Sequence, residues 1–123
     1  MGWGYRGLRA IWRFRNSVTL GVRVLLYDGE DILLVRHSYM PEWYLPGGQP
    51  DSGESLAETA RREAREEVAA DVEPVKLLGV LTHLAPHRSD HVAVFYGEWE
   101  GLEGGAPVAN SAEIDTVRMA SVS

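Results

Sequence analysis

The segment from Gly48 to Val72, GQPDSGESLAETARREAREEVAADV, constrains this chain more than any other. It puts Glu54 in a glycine-containing loop, then Arg62, Glu63, Glu66 and Glu67 on what the spacing predicts as one helix. Ser55-Leu56-Ala57-Glu58 has the form of a capping box, so that helix should start at about Leu56. Leu56, Ala57, Ala60, Ala64 and Val68 make its apolar stripe, and the small alanines would let it sit close to a sheet. Glu63, Glu66 and Glu67 recur at i, i+3 and i+4 and project from one side of the helix. Left unpartnered, these carboxylates repel and weaken the helix. A divalent cation would turn the repulsion into coordination, the arrangement used for hard metal ions that hold phosphate oxygens.

Gly48, five residues, Glu54, seven residues, then Arg62-Glu63-Ala64-Arg65-Glu66-Glu67 closely resembles the signature of the Nudix (MutT-like) hydrolases. The box runs from Gly48 to Ala70, and Trp43-Tyr44-Leu45-Pro46-Gly47-Gly48 resembles the family's lead-in. One departure is Ala69 where the family usually has glycine, followed by Ala70 in place of a bulky aliphatic residue. A left-handed helix exit would cost alanine roughly 1 kcal/mol more than glycine.

The resemblance implies an α/β fold, a Nudix-type α/β/α sandwich with a mixed β-sheet. It implies Mg2+- or Mn2+-dependent hydrolysis of a phosphoanhydride bond in a nucleoside diphosphate linked to another group: a nucleotide sugar, an ADP-ribose-like compound or a nucleoside triphosphate. Glu66 and Glu67 would be metal ligands, with the Gly48 carbonyl as a further oxygen. Glu63 would be either a ligand or the group that orients or deprotonates the attacking water. Glu54 and Arg62 would hold loop and helix together. Glu113 resembles a late glutamate that supplies another ligand or the base; an exposed acid at a strand edge is its other reading.

At 123 residues there is room for one domain, taken as 1–123, with one core. Hydrophobic content of 45% and charged content of 24% are ordinary for a soluble globular protein. Cysteine is absent, which excludes disulfides and thiolate metal sites and fits a cytoplasmic protein. No apolar run reaches the roughly 20 residues needed for a transmembrane helix. The net charge of −6 argues against general nucleic-acid binding, which rests on cationic contacts to phosphate. An acidic site that handles anionic substrates needs cations between the two, which again points to a metal.

Arg6, Arg9, Arg13 and Arg15 face no acid within the first 15 residues. Read as a helix, Tyr5 to Arg15 sets Tyr5, Leu8, Ile11 and Trp12 against the arginines, so 1–16 is expected as a basic amphipathic N-terminal helix. Packing on the domain or a second subunit, or lying on an anionic membrane surface, would each use that pattern.

Strands are expected over Val18 to Tyr27 and Ile32 to Arg36 around an Asp28-Gly29 turn, over Val75 to Leu84, and over His91 to Trp99. A last short strand is expected from Glu113 to Met119, after a flexible connection from Gly101 to Pro107. Family members continue past such a strand into a further helix, so the chain reads as short at the C-terminus. An uncovered sheet face would expose apolar surface, and a homodimer is expected to cover it.

Beyond the box, Arg36 and His37 could meet a phosphate or leaving group, or be a solvated strand end. Trp43, with Tyr44, could stack on a base or pack the loop. His83, His87 and His91 recur every four residues, but Pro86 argues against the helix that would align them as zinc ligands. Pro86, 16 residues past Ala70, resembles a marker of ADP-ribose-type pyrophosphatases. The partner expected overall is a nucleotide-derived small molecule. The alternative to the enzyme is a non-catalytic Nudix-like module that binds a nucleotide and reports on it, and the complete acidic triad favours the enzyme.

Overall fold

In a computed structural model of the chain, residues 17–73, 75–101, 105–111 and 113–121 are described. The expected amphipathic helix from Tyr5 to Arg15 lies outside them. Strand β1 (Ser17–Asp28) buries Val22, Val24 and Leu26, the period-2 signature of a strand with one face in the core. Gly29, at φ 60, turns the chain into β2 (Asp31–His37), whose Leu33 and Val35 join the same core.

The two strands pair only at the hairpin end, through Tyr27 with Ile32 and Asp28 with Asp31. Beyond that they part, and residues 44–48 fill the fork. Tyr44 bridges Val35 on β2, while β3 (Gly47–Gly48) pairs with Val22 and Arg23 on β1. A Cβ on Gly47 would overlap the Val22 carbonyl and the Arg23 side chain, so the wedge needs glycine there.

Strand β6 (Arg88–Gly101) runs parallel to β1 along eleven register pairs, from Ser17 with Arg88 to Tyr27 with Glu98. Its other edge takes β4 (Ala70–Val72) and β5 (Lys76–Ala85), both antiparallel, and β7 (Ile114–Ser121) pairs antiparallel with β2. The result is a mixed seven-stranded sheet along β4-β6-β1-β2-β7. Two details differ from the expected elements. The β5–β6 connection is a tight turn at Pro86 and His87, with His87 at φ 65, so β6 begins at Arg88 rather than His91. Strand β4 is not among the expected strands, because three residues are too few to show alternation.

Helix α1 (Leu56–Val68) starts where the capping box places it, with Ser55 Oγ accepting from the Glu58 amide at 3.1 Å. Ala60, Ala64 and Val68 are fully buried among the core residues of β1, β2 and β6. At its C-terminus Ala69 is left-handed (φ 53, ψ 45). The connection before β7 then takes up carbonyls at the helix end: Val108 N–H donates to Val68 and Asn110 N–H to Glu67, while Asn110 Nδ2 shares the Arg65 carbonyl with the Ala69 amide.

Strand β5 is different in character. Among the described residues it pairs with β6 alone, and Leu77, Leu78, Val80, Leu81 and Leu84 all remain more than half exposed. No helix among the described residues is long and apolar enough to cross a membrane.

Candidate active site

Glu54 is the anchor of the loop that precedes α1. Arg62 grips it with both arms of the guanidinium, Nε to Oε2 at 2.8 Å and Nη2 to Oε1 at 3.0 Å. The Thr59 hydroxyl (2.7 Å) and the Asp51 amide (3.1 Å) also donate to Oε1. The Arg62 hydrogen bond above all, then those from Thr59 and Asp51, hold the Glu54 pKa down to about 2. Arg62 Nη2 donates to the Gln49 carbonyl as well, stitching loop to helix.

The remaining Arg62 nitrogen reaches the acidic face. Nη1 contacts Glu63 Oε1 at 2.9 Å and Glu66 Oε2 at 3.1 Å, so one guanidinium is counterion to both. Among the described residues no three acidic or histidine side chains converge as a cation cage, and Arg62 bridges two members of the triad. Glu63 lies so close to the β3 backbone that a Cβ on Gly48 would overlap its carboxylate. Burial raises the Glu63 pKa, opposed by Arg62.

Glu67 is only 6% exposed and accepts from the Gly47 amide at 3.0 Å. Burial pushes its carboxyl up to about 7. The Gly47 hydrogen bond and Arg23 oppose that shift, whereas Glu63 and Glu113 add to it. A buried carboxylate with one amide partner and acidic neighbours is short of positive charge. With Glu63, Glu66 and the Gly48 backbone it would offer only oxygen donors, the chemistry that suits Mg2+ or Mn2+.

Beside this face a cavity of about 420 Å³ is lined by Arg23, His37, Tyr39, Met40, Tyr44 and Glu113. Ser38 N–H donates to the Glu113 carbonyl at 3.0 Å, which holds Glu113 at the end of β2. His37 meets the Tyr44 ring edge-on, 6.0 Å between centroids.

Of the residues expected outside the box, His37 and Glu113 line this cavity, and Arg36 and Trp43 do not. Arg36 pairs with Asp115 at 3.2 Å and contacts Thr116 Oγ1 at 3.3 Å. Its guanidinium lies 5.4 Å from the Trp43 ring centroid, and that of Arg118 lies 5.7 Å from it. The β2–β7 register shifts between Arg36 and His37, and only His37 lines the cavity. Arg23 was missed in the sequence, although a lone arginine within the apolar run Leu20 to Leu26 is a visible signal. The histidines are dispersed: His83 on β5, His87 in the turn, and His91 on β6 with Nδ1 3.0 Å from Thr82 Oγ1.

A NUDIX domain model matches residues 18–123. The chain belongs to the Nudix family. A Bacillus subtilis (strain 168) protein provisionally named an 8-oxo-dGTP diphosphatase is 34% identical to this Nudix chain over 90 residues, 73% of the chain and 57% of that protein. Another from the same organism, provisionally named an ADP-ribose pyrophosphatase, is 40% identical over 70 residues, 57% of the chain and 32% of that protein. Human 8-oxo-dGDP phosphatase NUDT18 is 35% identical over 72 residues, 55% of the chain and 22% of that protein. The matches thus span little more than half of these relatives, or less.

Among solved structures, the MutT NUDIX hydrolase of Burkholderia pseudomallei superimposes with a TM-score of 0.74 at 23% identity, covering 86% of this chain and 84% of that one. The MutT protein of Methanosarcina mazei Go1 gives 0.71 at 26% identity, covering 86% and 78%. The mixed sheet with its buried helix is therefore the fold of this family.

Proposed function

We propose that this Nudix chain is a metal-dependent nucleotide pyrophosphohydrolase. The observation that carries the reading is Glu67: a carboxylate buried against the Gly47 amide, and near enough to Glu63 and to the cavity residues Arg23 and Glu113 to feel their charges. Glu63, Glu66, Glu67 and the Gly48 carbonyl would hold Mg2+ or Mn2+. When bound, such an ion neutralises phosphate charge and lowers the pKa of a coordinated water.

The chain's own groups divide the remaining work. Glu54 and Arg62 fix the loop against α1, so Gly48 and the acidic face keep their spacing. Arg62 is also the counterion of Glu63 and Glu66, two of the residues that would hold the cation. Glu63 or Glu113 would accept the proton of the attacking water, whose oxygen bonds to phosphorus as the bridging P–O bond breaks. The nucleoside would lie in the cavity against Tyr39, Tyr44 and His37.

The relatives' names support two substrate classes, oxidised guanine nucleotides and ADP-ribose. We place the reaction in the cytoplasm, on the strength of a chain without cysteine. We also propose a homodimer, supported by the exposed apolar residues of β5 on an open sheet edge.

The test is phosphate release with Mg2+ or Mn2+ from nucleoside triphosphates, including 8-oxo-dGTP, and from ADP-ribose, nucleotide sugars, dinucleoside polyphosphates and capped RNA. Turnover that disappears with a chelator and in Glu67→Gln supports the enzyme. No turnover with any metal would leave the nucleotide-binding module in its place.

A further inference from the structure

Arg23 has no part in the box, yet it connects the box to the cavity. It sits mid-strand on β1 between Val22 and Val24, which are both buried. Alternation turns its side chain to the opposite, half-buried face, where a partly desolvated charge still needs partners. One is the Leu45 carbonyl, which accepts from Nη1 at 2.9 Å. Another is the Tyr44 ring, whose centroid is 5.6 Å from the guanidinium carbon. The Leu45 bond also braces the backbone two residues before Gly47, whose amide holds Glu67.

These contacts leave most of the guanidinium's five N–H donors uncommitted. Among the described residues no carboxylate lies within ion-pair distance of Arg23. The other arginines nearby are occupied: Arg62 with Glu54, Glu63 and Glu66, and Arg36 with Asp115. Arg23 is therefore the permanent cation of the cavity, between the apolar surfaces of Tyr39, Met40 and Tyr44 and the acids Glu67 and Glu113. An anionic ligand entering here meets repulsion from the acids and only one fixed positive charge on the cavity wall. Its geometry is a planar fork suited to phosphate oxygens.

We propose that Arg23 binds the phosphate attached directly to the nucleoside, and so makes the cavity selective for nucleotides over nucleosides. The inference builds on the pyrophosphohydrolase reading, but it can be measured without metal. The full chain is titrated calorimetrically in chelator with AMP and adenosine, and with GMP and guanosine. The wild type should bind each monophosphate about tenfold or more tighter than its nucleoside, as a charge-assisted contact provides. Arg23→Gln should erase that ratio, Arg23→Lys should keep part of it, and Tyr44→Leu should weaken both ligands while preserving it.

A purely structural Arg23 would behave otherwise, lowering affinity for nucleoside and nucleotide together. Should Arg23→Gln fail to fold, the Arg23 Nε–H resonance of the wild type reports instead, moving with the monophosphate and staying put with the nucleoside. An unchanged ratio in a folded Arg23→Gln, or no monophosphate preference in the wild type, overturns the proposal whether or not the enzyme turns over. A lost ratio in a protein that hydrolyses nothing would uphold Arg23 and sink the catalytic reading.

Discussion

The Gly47 amide donates a 3.0 Å hydrogen bond to Glu67 Oε2, tying the lead-in loop to the buried end of the acidic helix. Every approach to the site's chemistry passes through this contact, because Gly48 and Glu63 adjoin it directly.

Glu67→Gln should lower turnover by roughly 100-fold or more and weaken metal binding, while circular dichroism shows the fold intact. The amide fits the same space without a buried charge, so the metal-free variant should melt no lower than wild type near neutral pH. Wild-type turnover in this variant would refute the metal site.

The same carboxyl gives a pH signature. Its pKa is raised from 4.5 to about 7 in the folded protein. Its contribution to metal-free stability is therefore fully present below 4.5 and lost as pH rises through about 7. The span amounts to about 3 kcal/mol, at roughly 1.4 kcal/mol per pKa unit. Melting curves in chelator should show wild type losing ground to Glu67→Gln across that window. Added Mn2+ should reverse the loss by binding the charged form.

Glu54 behaves in the opposite sense. With its pKa held down to about 2, its contribution is present above 4.5 and lost as pH falls through 2. Glu54→Gln should melt several degrees lower at neutral pH, with the gap to wild type closing in strong acid. An equal gap at both pH values would contradict the clamp.

Ala69→Gly should stabilise the protein by about 0.5–1 kcal/mol, since alanine now occupies a left-handed exit at φ 53. Denaturant midpoints would register the gain, and kcat should change little, because glycine keeps the left-handed backbone that already follows Glu66 and Glu67.

Much of this architecture was legible in the sequence because it is local. The Ser55 cap, the alanine stripe and the Glu54–Arg62 pair all depend on residues a few positions apart, where helical spacing dictates the neighbours. The expected β1, β2 and β5 also lie within a residue or two of the observed strands. What could not be read depends on the fork between β1 and β2. Arg23 and Tyr44 meet across 21 residues only because β3 is wedged into that gap, whereas Arg36 and Trp43 pack on each other. Alternation tells which residues share a face, but not which face the folded sheet turns toward the site.

Light scattering during size-exclusion chromatography should report a dimer at micromolar concentration. Leu81→Glu should convert it to a folded monomer, by placing charge on an open edge that carries exposed Leu77, Val80 and Leu84. A wild-type monomer would contradict the assembly.

The Arg62 bridge between Glu63 and Glu66 gives the protein a built-in ion exchanger. The acidic face never has to wait bare for its cation, since an arginine already tethered by Glu54 neutralises part of it. Uptake of the proposed divalent ion would trade one set of charge pairs for another instead of creating them from nothing. On the proposed reading, its apparent affinity for that ion would be set by how easily one side chain lets go.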